Sequence, residues 1–482
     1  MKKIFEESEN IKYEYCCSIV KIGELTPIEN SDFLATTSVN GFPVVVRKDD
    51  IKEGDIMIYA PIETELNGDF CKVNNLYSDS EMNKDSTKKG YFNKYGRVRI
   101  VKLRGEESMG YLFSKAELET YIGEKIETLS VGQNFDMVNG KLFVKAYVPR
   151  VKEPNETRSS GSNRRNKRLK KLNRIIPGEF SFHYDTQMLE SNMLKFIPDD
   201  TISITVKLHG CSAIIGNVKV YAPKWEGGLY EKIFNHLPKF LRFTKTKYDY
   251  VYSSRSVIIN DDINPNRGIG FDNGSVQDNI KFYGELFKKY NIIPQGMTIY
   301  GEIVGYYRGK NTPIQKLDKD YDYGCEKGTN KLMIYRISQV IDGKTTFEWD
   351  VPEIYQWTVK LMNDYPEIAQ YIHPIDILYH GKFKDLYPEL DTAIHWGRNV
   401  LKNLKDESKW FMEKNEPLCK NKVPREGIVV RKINDPIKEA FKLKTMKFRF
   451  KECESVDKGQ ADIEMLETYA STTPSLKEGA CR

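Results

Sequence analysis

The stretch TISITVKLHGCSAII, residues 201–215, alternates apolar Ile202, Ile204 and Val206 with Ser203, Thr205 and Lys207, then places Gly210 three residues on. Period-two alternation predicts a strand with one apolar face. It ends on a lysine followed by a glycine, where the backbone can turn tightly beside a phosphate. A lysine on such a turn is a candidate nucleophile. To attack phosphorus its amine must be neutral, so its pKa has to fall, and burial or neighbouring cations both push it down. The rest of such a site should supply positive charge.

That charge stands in FKLKTMKFRFKE, residues 441–452. Strand alternation puts Lys442 and Lys444 on one face and Phe441 and Leu443 on the other. Two ammonium groups so placed can clamp a phosphate, offset charge growing on a transferring phosphoryl group and lower the pKa of Lys207. A lysine pair on a strand face taken alone is more often simply solvated. Two further strands carry a carboxylate beside glycine, Tyr300-Gly301-Glu302-Ile303 and Arg425-Glu426-Gly427-Ile428. An acid in an apolar strand needs a metal ion, a hydroxyl or a lysine as partner, because burying it alone is costly; the alternative is an exposed glutamate on an edge strand.

Outward from these boxes, residues 179–452 alternate strands such as GMTIYGEIVGYY, KLMIYRISQV and EGIVVRK with helical stretches such as VQDNIKFYGELFKKY and DTAIHWGRNVLKNLKDESKWFMEK, which predicts an α+β domain. Residues 1–150 run instead as short alternating segments with glycine punctuation, among them CSIVKIGEL, FPVVVRKDD, GDIMIYAPIE and GRVRIVKLRG. This predicts an all-β, OB-like barrel, although other small barrels share the periodicity. On it Arg97 and Arg99 share one strand face, and Lys102 and Arg104 form a second pair, either cations for a phosphate backbone or a basic solvated face. Residues 151–178 read as a linker whose run Arg164–Arg174 is dense in Arg and Lys: a phosphate contact, a nuclear address or a solvated hinge. Residues 453–482 read as a short tail.

A chain of 482 residues holds two or three domains, and 40% hydrophobic residues with 29 Tyr and 23 Phe suffice for their cores. No run approaches the roughly 20 apolar residues of a membrane span, and the start MKKIFEESENIKYEY lacks a secretory core, so a cytoplasmic or nuclear protein is expected. The eight cysteines are scattered without CxxC pairing, as reduced thiols are. The net charge of +6 is modest at this length, so local clusters carry the information.

Read in order, KLHG (207–210), SSR (253–255), YGEIVG (300–305), YRI (335–337), EGIVVR (426–431) and KLK (442–444) form an array. It resembles the covalent nucleotidyltransferase superfamily of ligases and capping enzymes. With a β-module ahead, and with IKEGDIMIYAPIE, YGRVRIVKLRGEESMGYLF, FSFHYDT and NKVPREGIVVRK, the sequence is similar to ATP-dependent RNA ligases, especially the fifth RNA ligase family. Two boxes depart from the commonest pattern: KLHG where KxDG is frequent, and YRI where an aromatic precedes Asp. His209 is therefore expected to pack or support the backbone.

The resemblance implies a multidomain fold, an OB-like barrel followed by an α+β nucleotidyltransferase domain of the ATP-grasp-like ligase adenylation kind. It implies that Lys207 forms lysyl-AMP with Gly210 at the nucleotide, that Arg255 contacts the ribose and later the RNA end, and that Tyr335 stacks on adenine. Glu302 would bind the ribose or a metal-bound water, Glu426 the catalytic metal, and Lys442 and Lys444 the α-phosphate. ATP and Mg²⁺ or Mn²⁺ are the implied cofactors. The implied partner is RNA with 3′-OH and 5′-phosphate ends, such as a nicked duplex, bound in part by Arg97, Arg99, Lys102, Arg104 and Arg255. A monomeric, cytoplasmic repair enzyme of a kind that viruses encode fits the family. A capping-type guanylyltransferase, a DNA ligase and a non-enzymatic RNA-binding protein are the alternatives.

Overall fold

Asn40 and Gly41 both take positive φ, 50° and 83°, and close a two-residue hairpin between strands Leu34–Val39 and Phe42–Arg47. Positive φ at both loop positions matches the twist of the flanking strands, and Asn-Gly adopts it at least cost. In the computed structural model the described residues are 4–148 apart from 10 and 30, and 174–458 apart from 184–185, 235–236, 238–240, 256, 260–273, 342–344, 407–409, 434 and 436–438. The chain divides into two compact units, Met1–Pro149 and Arg150–Arg482. The expected basic run lies outside the described residues up to 173, as does the tail beyond 458.

In the first unit the Ile56–Ala60 strand pairs with Cys17–Lys21 on one side and Tyr111–Phe113 on the other, and Asn134–Phe135 extends the sheet. Ile19, Ile58, Phe92, Phe113, Phe135 and Phe143 fill its core. The all-β expectation is corrected on two points. The sheets are open, and two helices, Gly68–Val73 and Lys115–Ile122, bring Phe70 and Leu118 into the same core. Each helix has a polar start. Asn67 accepts from the N–H groups of Asp69 and Phe70, and Ser114 with Glu117 forms a capping box.

The second unit, in chain order, has β1 (Thr201–Lys207), β2 (Cys211–Pro223), β3 (Thr244–Ser253), α1 (Gly274–Tyr290), β4 (Met297–Gly305), β5 (Asn330–Ile341), α2 (Val351–Asp364), β6 (Ile377–Lys382), α3 (Trp396–Lys405), β7 (Gly427–Lys432), β8 (Ala440–Lys444) and α4 (Met446–Asp457), with shorter segments between. One sheet runs β8-β7-β1-β6, with Gln187–Met188 parallel to β8. The other runs β3-β2-β4-β5, with Thr345–Glu348 antiparallel and Ile372–Pro374 parallel to β5. Apolar alternation decides which face each sheet buries. Ile202, Ile204, Ile428, Val430, Phe441 and Leu443 pack under Trp396, Val400 and Leu404 of α3. Likewise Ile215, Ile299, Ile303 and Ile337 pack under Ile280, Tyr283 and Phe287 of α1 and Ile354 and Leu361 of α2. Each such side chain contributes about 1.5–3 kcal/mol on burial. A further cluster, with Val206 of β1, Leu208 just after it, Val304 of β4, Met333 of β5 and Phe448 of α4, joins the two sheets.

The strand that carries the lysine pair stops at Lys444. Thr445 accepts from the N–H of Phe448 at 3.2 Å and starts α4, which runs to Asp457, beyond the point where a tail is expected. The predicted linker also ends early: Arg174 pairs with Asp249 at 2.9 Å and its carbonyl accepts from the N–H of Tyr221, so this end of the run is built into the second unit.

Candidate active site

Lys207 ends β1, directly opposite Gly427 of β7, which in turn stands opposite Lys444 of β8. Residues opposite one another in antiparallel strands project from the same face, so Lys207 and Lys444 lie on either side of a residue without a side chain. The glycine is required sterically: a Cβ at 427 would fall 2.0 Å from the Leu443 carbonyl oxygen and 2.8 Å from Lys444 Cα. The same register places Thr205, Val429 and Lys442, then Ser203 and Arg431, on this face. It is the face turned away from α3, and its charged members are all cations.

Glu426, immediately before β7, is the hub. Lys207 Nζ lies 2.7 Å from its Oε1 and Lys444 Nζ 3.4 Å from the same oxygen. Lys444 is also 2.8 Å from Glu452 of α4. Burial alone would raise the Glu426 carboxyl, but Lys207 and Lys444 outweigh it and hold it down to about 2. For Lys444, burial disfavours the ammonium, while Glu452 and Glu426 outweigh burial and raise its pKa. Lys444 thus meets Lys207 through a shared carboxylate. An ionised carboxylate beside an ammonium stabilises the charged form, as Glu452 and Glu426 do for Lys444. The other Glu426 oxygen, Oε2, is buried without a hydrogen bond and sits 3.9 Å from His209 Nδ1.

His209 packs its ring edge-on against Tyr321 and Phe448, at 4.9 and 5.0 Å, and its backbone N–H donates to the Tyr323 hydroxyl at 2.7 Å. It thereby fixes the turn after Lys207. Gly210 completes the turn by close approach, not by unusual φ: a Cβ there would meet the Ile303 carbonyl at 2.5 Å and Glu302 Cγ at 2.8 Å. Gln315 donates to the Gly210 carbonyl at 2.7 Å. Glu302, buried on β4, stands opposite Ser212 of β2 and Met333 of β5. The two glutamates thus flank the lysine turn, one from each sheet.

Tyr335 packs with Ile214 and Tyr300, its ring 6.0 Å from that of His183 and 5.9 Å from the Arg431 guanidinium carbon. His183 is the residue that sequence reasoning left without a role. Burial first, and then Arg255, Arg336, Arg431 and Lys207, press its pKa well below the ordinary histidine value. A neutral imidazole therefore sits among four cations. Arg255, half-buried just past β3, joins the site through this group. Arg336 is held by Glu348, with Nε 2.8 Å from Oε2, and lies over the Tyr300 ring at 3.9 Å. FSFHYDT already marked the stretch holding His183, but a lone histidine there gave no hint of the surrounding charge.

On the first unit the RNA-binding set divides. Arg97 is withdrawn from it: its side chain is fully buried, held by Glu63 at 2.7 Å and over the Tyr147 ring at 4.8 Å. Arg99 is half-buried, while Lys102 and Arg104 are exposed on the hairpin joining Ile100–Leu103 to Glu106–Met109.

Residues 16–115 match the family model of an OB-fold domain. No curated protein matches the chain. Among solved structures, an RNA ligase of Naegleria gruberi is similar over most of its length. A variant with AMP and Mn shares 16% identity over 91% of this chain and 99% of that one, with a TM-score of 0.51. An apo variant gives 18%, 92%, 99% and 0.52, and the form with pyrophosphate 16%, 92%, 100% and 0.51. The chain thus carries the RNA-ligase fold, with an OB-fold domain at its N-terminal end.

Proposed function

We propose that the protein is an ATP-dependent RNA ligase that carries AMP on Lys207 and joins 3′-OH and 5′-phosphate RNA ends. The observation that carries this reading is the convergence on one strand turn of Lys207, Glu426 and Lys444, with Glu302 facing it from the second sheet. The Lys207 amine attacks the α-phosphorus of ATP and pyrophosphate leaves. The AMP then passes to a 5′-phosphate, and a 3′-hydroxyl displaces AMP as the phosphodiester forms. In each step one P–O or P–N bond forms as another breaks, so positioning and fixed charge do most of the work.

In this reading Lys442 and Lys444 grip the α-phosphate, Tyr335 faces the adenine, Glu302 holds the ribose, and Arg255 serves the ribose and then the RNA end. Glu426, with its second oxygen buried and unbonded, suits a divalent cation, as does Glu302. Among the described residues no three His, Cys, Asp or Glu side chains group into a metal cage, which fits Mg²⁺ or Mn²⁺ held by one or two carboxylates with water and phosphate. Such an ion neutralises charge on the transferring phosphoryl group. On the first unit Arg99, Lys102 and Arg104 are offered to the RNA backbone.

Incubation with radiolabelled ATP or GTP and a divalent cation, followed by a denaturing gel, tests the first step. A covalent AMP adduct, absent in Lys207→Ala, is expected. A GMP adduct would point to capping instead, and no adduct to a binding protein. Sealing of nicks with ribose or deoxyribose at the 3′-hydroxyl then separates RNA from DNA ligation.

A further inference from the structure

Between β2 and β3 the chain builds a feature that the chemistry at Lys207 does not use. β2 pairs with β4 only from Cys211 to Asn217, whereas its pairing with β3 continues to Pro223↔Thr244. The last six pairs therefore run on past β4 as a ribbon, with Ile175 bridging Val220 and the Arg174 carbonyl accepting from the Tyr221 N–H on the side β4 has left. At about 3.3 Å per residue, its end lies roughly 40 Å along the strand from Cys211, beside the lysine turn.

The tip of this ribbon is apolar and left in solvent. Trp225, Leu229, Ile233, Leu241 and Phe243 are all exposed, Trp225 at 52% and Phe243 at 48%. These rings are not loose. Trp225 meets Tyr230 edge-on at 4.9 Å and 88°, and Phe243 at 5.9 Å and 74°. The Tyr230 hydroxyl accepts from the Phe243 N–H at 2.7 Å and donates to the Leu241 carbonyl at 2.9 Å, locking the arrangement. An exposed apolar cluster held in fixed geometry is a contact surface.

Charge selects the partner. Residues 219–247 carry seven Lys and Arg (219, 224, 232, 239, 242, 245, 247) against two Glu (226 and 231). Glu226 is consumed within the tip by Lys245 and Lys247, at 3.1 and 2.5 Å, and Glu231 accepts from the Gly227 N–H. Lys224 lies over the Trp225 ring at 5.3 Å, and Lys219 over Tyr248 at 5.6 Å. Aromatic faces interleaved with cations suit a polyanion whose bases stack.

We propose that this tip is a second RNA contact, on which unpaired nucleotides of the substrate stack against Trp225 and Phe243 while the flanking lysines meet their phosphates. It rests on the reading of the protein as an enzyme that acts on RNA. At about 3.4 Å per nucleotide, the rise of a fully stacked strand, roughly 12 nucleotides span the distance from the lysine turn to the tip, and a more extended strand spans it with fewer.

The test compares the full-length protein with W225A/F243A and W225F, since these exposed positions can change without loss of fold. Three probes are used: a single-stranded RNA of about 24 nucleotides, a blunt RNA duplex of equal length, and phosphatidylcholine–phosphatidylserine vesicles. The double variant is expected to bind the single strand about 10- to 100-fold more weakly, with W225F close to wild type and duplex binding little changed. Lysyl-AMP formation should be unaffected, and sealing should fall only for substrates with unpaired arms long enough to reach the tip. Unchanged single-strand affinity, an equal loss on the duplex, or vesicle binding that depends on Trp225 would each overturn the proposal. Absence of lysyl-AMP in the wild type would instead refute the ligase reading and leave the binding comparison intact.

Discussion

Exchanging Glu426 for Gln removes the carboxylate that Lys207 and Lys444 share, with two readable consequences. The carboxyl has its folded pKa held down to about 2 against an ordinary value near 4.5, so its stabilising effect is present above about pH 4.5 and is lost as the pH falls towards 2. The size is on the order of 3 kcal/mol. The melting temperature of Glu426→Gln should therefore vary less between pH 5 and 2 than that of the wild type. Gly427→Ala makes a sharper test of the register, since its methyl meets the Leu443 carbonyl oxygen. It should lower stability by about 2–4 kcal/mol in denaturant titration and reduce AMP transfer as β7 and β8 separate. At this scale Lys207, Glu302 and Lys444 were legible as candidates because each sits in a strand, and Glu426 because it stands immediately before one. That Glu426 would lie between two lysines was not legible, because the register of β1, β7 and β8 joins segments more than two hundred residues apart. Arg97 misled for the related reason that exposure is set by tertiary partners, here Glu63 and Tyr147.

Among the elements, α4 was the least legible. In FKLKTMKFRFKE strand alternation is read for Phe441–Lys444 and no helix is read after it, but Thr445 caps a helix that carries Glu452 back to Lys444. Thr445→Ala should cost about 1 kcal/mol through the lost cap, and more of the effect should appear in AMP transfer than Glu452→Gln alone produces if the helix start positions the carboxylate. The helix Lys115–Ile122 was missed although Ser114-Lys-Ala-Glu117 spells a capping box, because short alternating runs on either side dominated the reading. In that unit Arg97→Ala should destabilise by about 2–4 kcal/mol, somewhat below a fully buried pair because Glu63 keeps some exposure. Neutralising Lys102 and Arg104 should leave stability unchanged and flatten the salt dependence of RNA binding.

For the whole molecule, the succession of a β-rich module and an α+β domain was legible from the change in pattern near residue 150, and the two units divide at Pro149. Removing residues 1–149 should spare lysyl-AMP formation, since Lys207, Glu302, Glu426 and Lys444 all belong to the second unit, and should impair sealing; equal sealing by the truncated protein would deny the first unit a role in holding RNA. The pairing of Lys207 with Glu426 also bears on how this molecule meets reactive small molecules. Electrophiles such as acetic anhydride or cyanate consume free amines, and a chain with this many lysines offers them abundant targets on its surface. An amine that is largely buried and held against a carboxylate is a poor target for them. Mass spectrometry after brief acetylation should find Lys102 and Lys224 modified well before Lys207, and Lys207 modified sooner in Glu426→Gln, so the resting protein keeps its one indispensable amine shielded from adventitious acylation.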